Sequence, residues 1–133
     1  MVPYYGIHYA KQYVRGKPIR FGFKNWALCS NEGYMVSFDI DTGKNSSLEK
    51  RFGVGGDIFL ALLHQTEVPK NQGYKIYFDN YFMSLPLLAY LSAQKYCAIG
   101  TIRENRLEQC PVSSKKSWNK ERRGSYKFCV SVD

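Results

Sequence analysis

A strand–helix–strand pattern between residues 74 and 103 constrains the fold more than any other feature of the sequence. The aromatic and aliphatic run 74–78 predicts a strand that stops at Asp79. Ser84 can cap a following helix that has a proline in its first turn and leucines spaced for one face. The next apolar segment, Cys97–Arg103, predicts a second strand. This order is typical of a sheet with helices packed on its faces.

The first half of the chain predicts a β-hairpin and a short helix. Ile19–Ser30 and Tyr34–Ile40 are strand-like segments separated by a glycine turn, and a second turn begins at Asp41. Asp57 is placed to cap a helix over residues 58–63. The glycines before it favour a tight entry turn over a phosphate cradle, because no P-loop Lys-Ser/Thr follows them.

The last third of the chain has a segment without regular spacing of apolar residues, followed by a segment in which apolar and polar residues alternate. Residues 106–124 are mostly polar and basic, whereas Ser125–Val132 alternates and predicts a final strand with Tyr126 and Phe128 on one face. Taken together, the pattern predicts an α/β fold with a mixed sheet flanked by helices.

The net charge of +8 is concentrated at both ends of the sequence. Residues 1–25 contain five basic residues and no acid, and residues 103–127 contain eight basic residues against three acids. A basic surface favours a polyanionic partner, since each neutralised phosphate releases counterions. A solvated surface without any partner is the alternative.

Cysteine use and hydropathy favour an intracellular protein. Cys29, Cys97, Cys110 and Cys129 have no C-x-x-C spacing, so we expect free and mostly buried thiols, with a disulfide or metal site as the alternative. No apolar run approaches the ~20 residues of a membrane span, and the polar start does not resemble a secretory signal. We therefore expect no membrane partner and no secretion.

Asp79 is the candidate for metal chemistry. It follows an apolar strand and precedes a helix, where open α/β sheets place their ligands, and a carboxylate there commonly holds magnesium. The alternative is structural: Asp79 caps the following helix or begins a turn with Asn80.

Several motifs resemble those of one known family. The string Tyr77–Leu88 resembles the central motif of the piggyBac-type transposases, and Ala98–Arg106 resembles that family's next strand and basic tail. The segments 17–24, 38–44 and 52–56 also fit the family pattern, as 123–126 does more loosely. The resemblance covers almost the whole chain, and Met83 departs from the small hydroxyl residue of the pattern.

The resemblance implies an incomplete RNase H-like domain over residues 1–106, with residues 107–133 forming a basic loop and strand at the start of a β-rich insertion. Such enzymes cut and join DNA with three carboxylates and two magnesium ions. Asp79 matches the second carboxylate, and the expected first and third positions precede Met1 and follow Asp133. We therefore expect this chain to bind no magnesium by itself and to be inactive in DNA cleavage.

The resemblance also implies DNA contact and a nuclear location. Arg103 and Arg106 follow the strand after Asp79, so they are placed to reach a phosphate backbone near it, and a base could stack on Trp118 within the basic run, unless that indole is packed locally. The nucleic-acid-binding residues predicted for this sequence-tolerant contact are Lys17, Arg20, Arg103, Arg106, Lys115, Lys116, Lys120, Arg122 and Arg123.

Three functional interpretations follow. The first is an inactive, transposase-derived remnant, the second is a piece of a longer active transposase, and the third is a domesticated module that binds DNA or protein. The resemblance also places the missing first strand at the centre of the sheet. Its absence would leave unpaired strand edges, so we expect marginal stability and self-association through those edges.

Overall fold

The computed structural model describes residues 1–43, 50–107, 110–112 and 115–130. The chain consists of two compact units, Met1–Pro69 and Lys70–Asp133. The strands of the described ranges form three separate sheets, two antiparallel in the first unit and one parallel in the second. The fold is therefore mixed α/β, as predicted, but with small sheets in place of the single mixed sheet expected from the sequence.

The first sheet lies at the N-terminus. Its strands are β1 (Val2–Pro3), β2 (Gln12–Tyr13) and β3 (Phe21–Phe23), with β3 in the middle and both pairings antiparallel. Gly22 lies opposite Pro3, and any Cβ at this position would collide with the backbone oxygen of Val2. A glycine at the centre of β3 is therefore required for the two strands to approach.

The second sheet is the predicted hairpin, formed by β4 (Asn25–Cys29) and β5 (Met35–Ile40). Its turn is held by Ser30, whose Oγ accepts a hydrogen bond from the backbone N–H of Tyr34 at 3.1 Å. The continuous strand expected over residues 19–30 is wrong, because the chain changes sheet at Lys24. That side chain pairs with Asp41 at 3.1 Å and lies 3.8 Å from the Trp26 ring centroid.

Helix α1 (Gly53–Gln65) begins five residues before the predicted start. Asp57 is therefore not its N-cap; the Asp57 carboxylate is buried and accepts hydrogen bonds from the backbone N–H groups of Arg51 and Phe52, at 3.1 and 2.9 Å. Gly53 starts the helix with a φ of +80°, a conformation that costs a residue with a Cβ about 1–2 kcal/mol. The glycines at 53–56 lie inside the helix and form neither a separate entry turn nor a loop.

The second unit contains the predicted strand–helix–strand segment. Strands β6 (Lys75–Phe78) and β7 (Cys97–Gly100) pair in parallel, and α2 (Leu85–Ala93) connects them. Ser84 caps α2 as predicted, since its Oγ accepts from the N–H of Leu87. The fully buried face of the helix is formed by Leu87 and Leu91, one turn apart, whereas the predicted face used Leu85, Leu88 and Leu91.

The chain after β7 contains two short helical turns. A 3-10 turn covers Glu104–Arg106, and α3 covers Lys115–Trp118 within the segment for which the sequence predicted a basic loop. The final strand predicted over Ser125–Val132 is wrong within residues 125–130, which form no strand; 131 and 132 lie outside the described residues. Alternation alone does not form a strand without a partner, and Tyr126 and Phe128 are more than 80% exposed.

The cysteines are more exposed than the sequence predicted. Cys29, Cys97 and Cys129 are exposed and Cys110 is half-buried, so the expectation of mostly buried thiols is wrong. All four are free thiols, as expected. Across the described ranges, every helix is too short or too polar to cross a membrane.

Candidate functional site

Asp79 follows β6 directly and is exposed to solvent. Its Oδ1 accepts a hydrogen bond from the backbone N–H of Tyr81 at 2.7 Å, and its backbone oxygen accepts from Phe82 at 3.3 Å. This is an Asx-type turn, so the structural role of beginning a turn with Asn80 is realised, whereas the helix cap belongs to Ser84. We call residues 79–83 the Asp79 turn.

Two arginines that follow β7 contact the Asp79 turn. Strands β6 and β7 are parallel, with Phe78 opposite Gly100, so their carboxyl ends lie at the same edge. Arg103 Nε donates to the side-chain oxygen of Asn80 at 3.0 Å. Arg106 Nη1 lies 3.1, 3.0 and 2.9 Å from the backbone oxygens of Asn80, Tyr81 and Met83. The sequence predicted these arginines as phosphate contacts, which stays a prediction; in the structure both hold the turn.

Gly100 is the last paired residue of β7 and lies opposite Phe78, next to the Asp79 turn. A Cβ at Gly100 would collide with the backbone oxygen of Phe78, the residue immediately before Asp79. Because glycine has no side chain, the ends of β6 and β7 can approach each other directly before the Asp79 turn. Sequence reasoning missed this role, although a glycine inside an apolar strand is a known sign of close backbone approach.

The donor set around Asp79 does not by itself fit a two-magnesium centre. Two ions about 4 Å apart need several carboxylates to hold them against phosphate repulsion. Within the described ranges, no group of three or more His, Cys, Asp or Glu side chains is placed to hold a metal ion. Asp79 carries a carboxylate, and carboxylate oxygens are the kind of hard ligand that magnesium prefers.

The predicted basic residues are divided between the two units. Lys17 and Arg20 are exposed in the first unit. In the second unit the exposed basic side chains of the predicted set are Arg103, Lys116, Lys120, Arg122 and Arg123. Arg106 is half-buried, and Lys115 begins α3 but its side chain lies outside the description.

Trp118, the residue proposed to stack on a base, is packed locally. The Lys127 Nζ lies 5.3 Å from the centroid of the Trp118 ring, and it is also 3.6 Å from a carboxylate oxygen of Glu121. A cation at this distance is attracted by the ring, so one approach to the indole is occupied. This arrangement favours the alternative of a locally packed Trp over a free stacking platform.

Two contacts of the second unit had no counterpart in the sequence analysis. Asn80 receives the Arg103 side chain, and the Sγ atoms of Cys110 and Cys129 lie 3.3 Å apart. Both contacts join positions about 20 residues apart, with |i−j| of 23 and 19. No local spacing rule identifies such pairs.

Comparison with known proteins gives the family. Residues 1–130 match the family model described as Transposase IS4. The chain is 38% identical over 132 residues to human PiggyBac transposable element-derived protein 3, and 33% identical over 131 residues to human PiggyBac transposable element-derived protein 2. Each alignment covers 98% of this chain and 22% of the relative, so the chain spans about a fifth of their length.

A solved structure shares the fold. The piggyBac transposase of a cryo-EM synaptic complex with hairpin DNA superposes with a TM-score of 0.72 over 96% of this chain and 26% of that one, at 23% sequence identity. The motifs around Asp79, the family match over nearly the entire chain and the human relatives agree. The chain belongs to the piggyBac-type transposases of the Transposase IS4 family.

Proposed function

We propose that this chain is part of an RNase H-like, transposase-derived catalytic domain in which Asp79 is one of the metal-binding carboxylates. The observation that carries the proposal is the Asp79 turn. Its exposed carboxylate follows β6, and two arginines that follow β7 hold the turn: Arg103 through the side chain of Asn80 and Arg106 through backbone oxygens. Such an edge is where open α/β sheets bind ligands.

The fixed turn is what metal chemistry requires of the protein. Catalysis of phosphoryl transfer by two metals depends on positioning, and a ligand that moves by about 1 Å can lose about 100-fold in rate. Arg106 ties three backbone oxygens of the turn to a single side chain. These contacts hold the backbone of the turn in position next to Asp79, and Asp79 itself is exposed to solvent.

We further propose that the 133-residue chain by itself does not cut DNA. One carboxylate does not hold two magnesium ions. Two further acids, Asp39 and Asp41, lie near the end of β5 in the first unit. Asp41 is paired with Lys24, and Asp39 lies within β5 opposite Trp26. Magnesium-dependent cleavage then needs the family's first and third carboxylates.

The proposed partner is DNA, contacted through the phosphate backbone. The solved relative was captured in a synaptic complex with hairpin DNA. In this chain four exposed basic side chains lie within residues 116–123, and Lys17 and Arg20 add two charges in the other unit. Contacts of this kind tolerate any sequence and weaken as salt rises.

The test is a salt titration of DNA binding by fluorescence anisotropy with two duplexes of unrelated sequence. We expect equal affinity for both duplexes and a linear fall of log K with log salt. The Arg122→Ala/Arg123→Ala variant should reduce the slope by about 2, since each lost phosphate contact removes about 0.9. The Lys17→Ala/Arg20→Ala variant should act in the same direction.

The matched control is Lys50→Ala/Lys75→Ala, which removes the same charge from exposed positions outside the predicted set. We expect its slope to equal that of the unmodified chain. Equal slopes for all three double variants would mean that binding follows net charge alone. A salt-independent affinity, or none at low salt, would reject the proposed DNA contact.

A longer active transposase is the second candidate, and the coverage of the relatives favours it. The chain spans 22% of each human relative, so the remaining carboxylates have room in sequence outside it. Long-read cDNA together with an immunoblot of the endogenous protein tests this candidate. A product near 15.4 kDa would reject it. A longer product that supplies the other two carboxylates would support it.

We also propose that the isolated chain self-associates through strand edges. Within the described residues, each strand of the pairs β4–β5 and β6–β7 has a single strand neighbour, so each pair has two open edges. Open edges offer unpaired N–H and C=O groups to a second chain. We expect concentration-dependent association in sedimentation experiments; a monomer with a sharp, reversible melt at high temperature would contradict this.

A further inference from the structure

The second unit brings two thiols together at the ends of the basic segment. The Sγ atoms of Cys110 and Cys129 lie 3.3 Å apart, with Cys110 half-buried and Cys129 exposed. An S–S bond is about 2.05 Å long, so the two sulfur atoms need to approach by only a little more than about 1 Å. The other two cysteines, Cys29 and Cys97, lie in strands β4 and β7.

Local contacts hold the chain on both sides of this pair. The backbone N–H of Cys110 donates to Leu107 at 3.0 Å, and the backbone oxygen of Cys110 accepts from Val112 at 2.8 Å. On the returning side, Lys127 contacts Glu121 at 3.6 Å and covers the Trp118 ring. The proximity of the two sulfurs therefore follows from a folded segment rather than from neighbouring positions in the sequence.

We propose that Cys110 and Cys129 form a reversible disulfide that closes residues 111–128 into a loop. The loop contains the whole basic run from Lys115 to Arg123. Closing it restricts the arrangements in which these charges are presented, because the loop ends become fixed. The bond does not depend on the proposed DNA contact, since it follows from the thiols alone.

The chemistry is thiol–disulfide exchange with a disulfide oxidant such as oxidised glutathione. The thiolate of one cysteine attacks the oxidant, forms a mixed disulfide and releases one reduced glutathione as thiolate. The second cysteine then attacks the protein sulfur of that mixed disulfide and releases the second glutathione. The protein loses two thiol protons and two electrons, and oxidised glutathione gains them. Excess reduced glutathione reverses both steps.

The contact also affects the reactivity of Cys129. The hydrogen-bond contact with Cys110, followed by desolvation, raises the pKa of the Cys129 thiol above its ordinary value. A raised pKa lowers the thiolate fraction at neutral pH, and the thiolate is the attacking species. Attack by the Cys129 thiolate is therefore expected to accelerate as the pH rises.

The experiment uses the 133-residue chain at high dilution in buffers of oxidised and reduced glutathione. Free thiols are blocked with N-ethylmaleimide, and the intact mass and tryptic peptides are measured. We expect an oxidised species with two blocked thiols in place of four. Its tryptic digest should contain the peptide 107–115 joined to the peptide 128–133, since trypsin cleaves after Arg106, Lys115 and Lys127.

Matched serine variants assign the bond. Cys129→Ser and Cys110→Ser should each abolish the joined peptide, whereas Cys29→Ser and Cys97→Ser should still yield it. A parallel reaction in concentrated urea measures pairing without the fold, and we expect the 110–129 preference to disappear there. Equal pairing in buffer and in urea would overturn the proposal. So would mixed glutathione adducts without any joined peptide.

Discussion

Arg106 Nη1 lies 3.1 Å from the backbone oxygen of Asn80, although Arg106 and Asn80 are 26 positions apart in the sequence. Asn80 directly follows Asp79. The same nitrogen reaches the backbone oxygens of Tyr81 and Met83. The basic tail that follows β7 therefore supports the turn that carries the Asp79 carboxylate. This gives a structural reason for the two segments to occur together in one sequence.

Replacing Arg106 should destabilise the second unit. Arg106→Ala leaves three backbone oxygens without their charged donor, and hydrogen bonds to charged groups contribute about 1.5–3 kcal/mol. Arg106→Lys should recover only part of this, because an ammonium lacks the guanidinium's fixed geometry. Urea unfolding measures the loss. The control is Arg123→Ala at an exposed position, expected within about 0.5 kcal/mol of the unmodified chain. Equal stability of both alanine variants would show that Arg106 does not hold the turn.

Two substitutions of Asp79 should show whether its hydrogen bond or its negative charge holds the turn. Asp79→Asn keeps an oxygen that can accept from the N–H of Tyr81, so we expect a stability change within about 0.5 kcal/mol. Asp79→Ala removes that acceptor and should cost about 0.5–1.5 kcal/mol. Urea unfolding of both variants is the measurement. If Asp79→Asn were as destabilising as Asp79→Ala, the negative charge rather than the hydrogen bond would be holding the turn.

Gly100 should not tolerate a side chain. In Gly100→Ala the new Cβ meets the backbone oxygen of Phe78, so the end of the β6–β7 pair should open and its backbone amides should lose hydrogen-exchange protection. Gly124→Ala is the comparison, because a Cβ at Gly124 meets nothing within 4 Å. That variant strains its own backbone, at a φ of +91°, but should leave the protection of β6 and β7 unchanged. Unchanged protection in Gly100→Ala would refute the close approach.

The thiol contact predicts a pH dependence with a definite sign. Because Cys110 raises the pKa of the Cys129 thiol, the folded chain favours the neutral thiol. The contribution of this thiol to folding stability is fully present at a pH below the pKa of Cys129 in the unfolded chain. It is lost as the pH rises through the higher pKa of Cys129 in the folded chain. Alkylation of Cys129 by iodoacetamide, followed against pH, should show a higher midpoint in the unmodified chain than in Cys110→Ser. Identical midpoints would contradict the contact.

Local signals in the sequence predicted part of this fold. Ser84 and the proline after it were sufficient to place the start of α2, and the glycine turn placed the β4–β5 hairpin. The start of α1 was missed because Gly53 opens the helix in a left-handed conformation and Asp57 bonds backward from inside it. The break at Lys24 depends on pairing with different strands, which a single run of residues does not reveal.

The sequence predicted the position of Asp79 at the end of a strand, but it did not predict the contacts that hold the following turn. Asp79 was identified by its position after an apolar strand, and the family motif strengthened that assignment. The contacts of Arg103 and Arg106 with Asn80 exist because β6 and β7 pair in parallel and bring two distant segments to one edge. That relationship belongs to tertiary structure, so no spacing in the sequence contains it.

The most direct test of the account is a supercoiled-plasmid nicking assay with magnesium, run beside DNA binding in the same samples. We predict that the 133-residue chain binds DNA at low salt and produces no nicking above that of Asp79→Asn. Magnesium-dependent nicking by the unmodified chain that Asp79→Asn abolishes would contradict the account, because it would mean that this chain alone assembles a working metal centre.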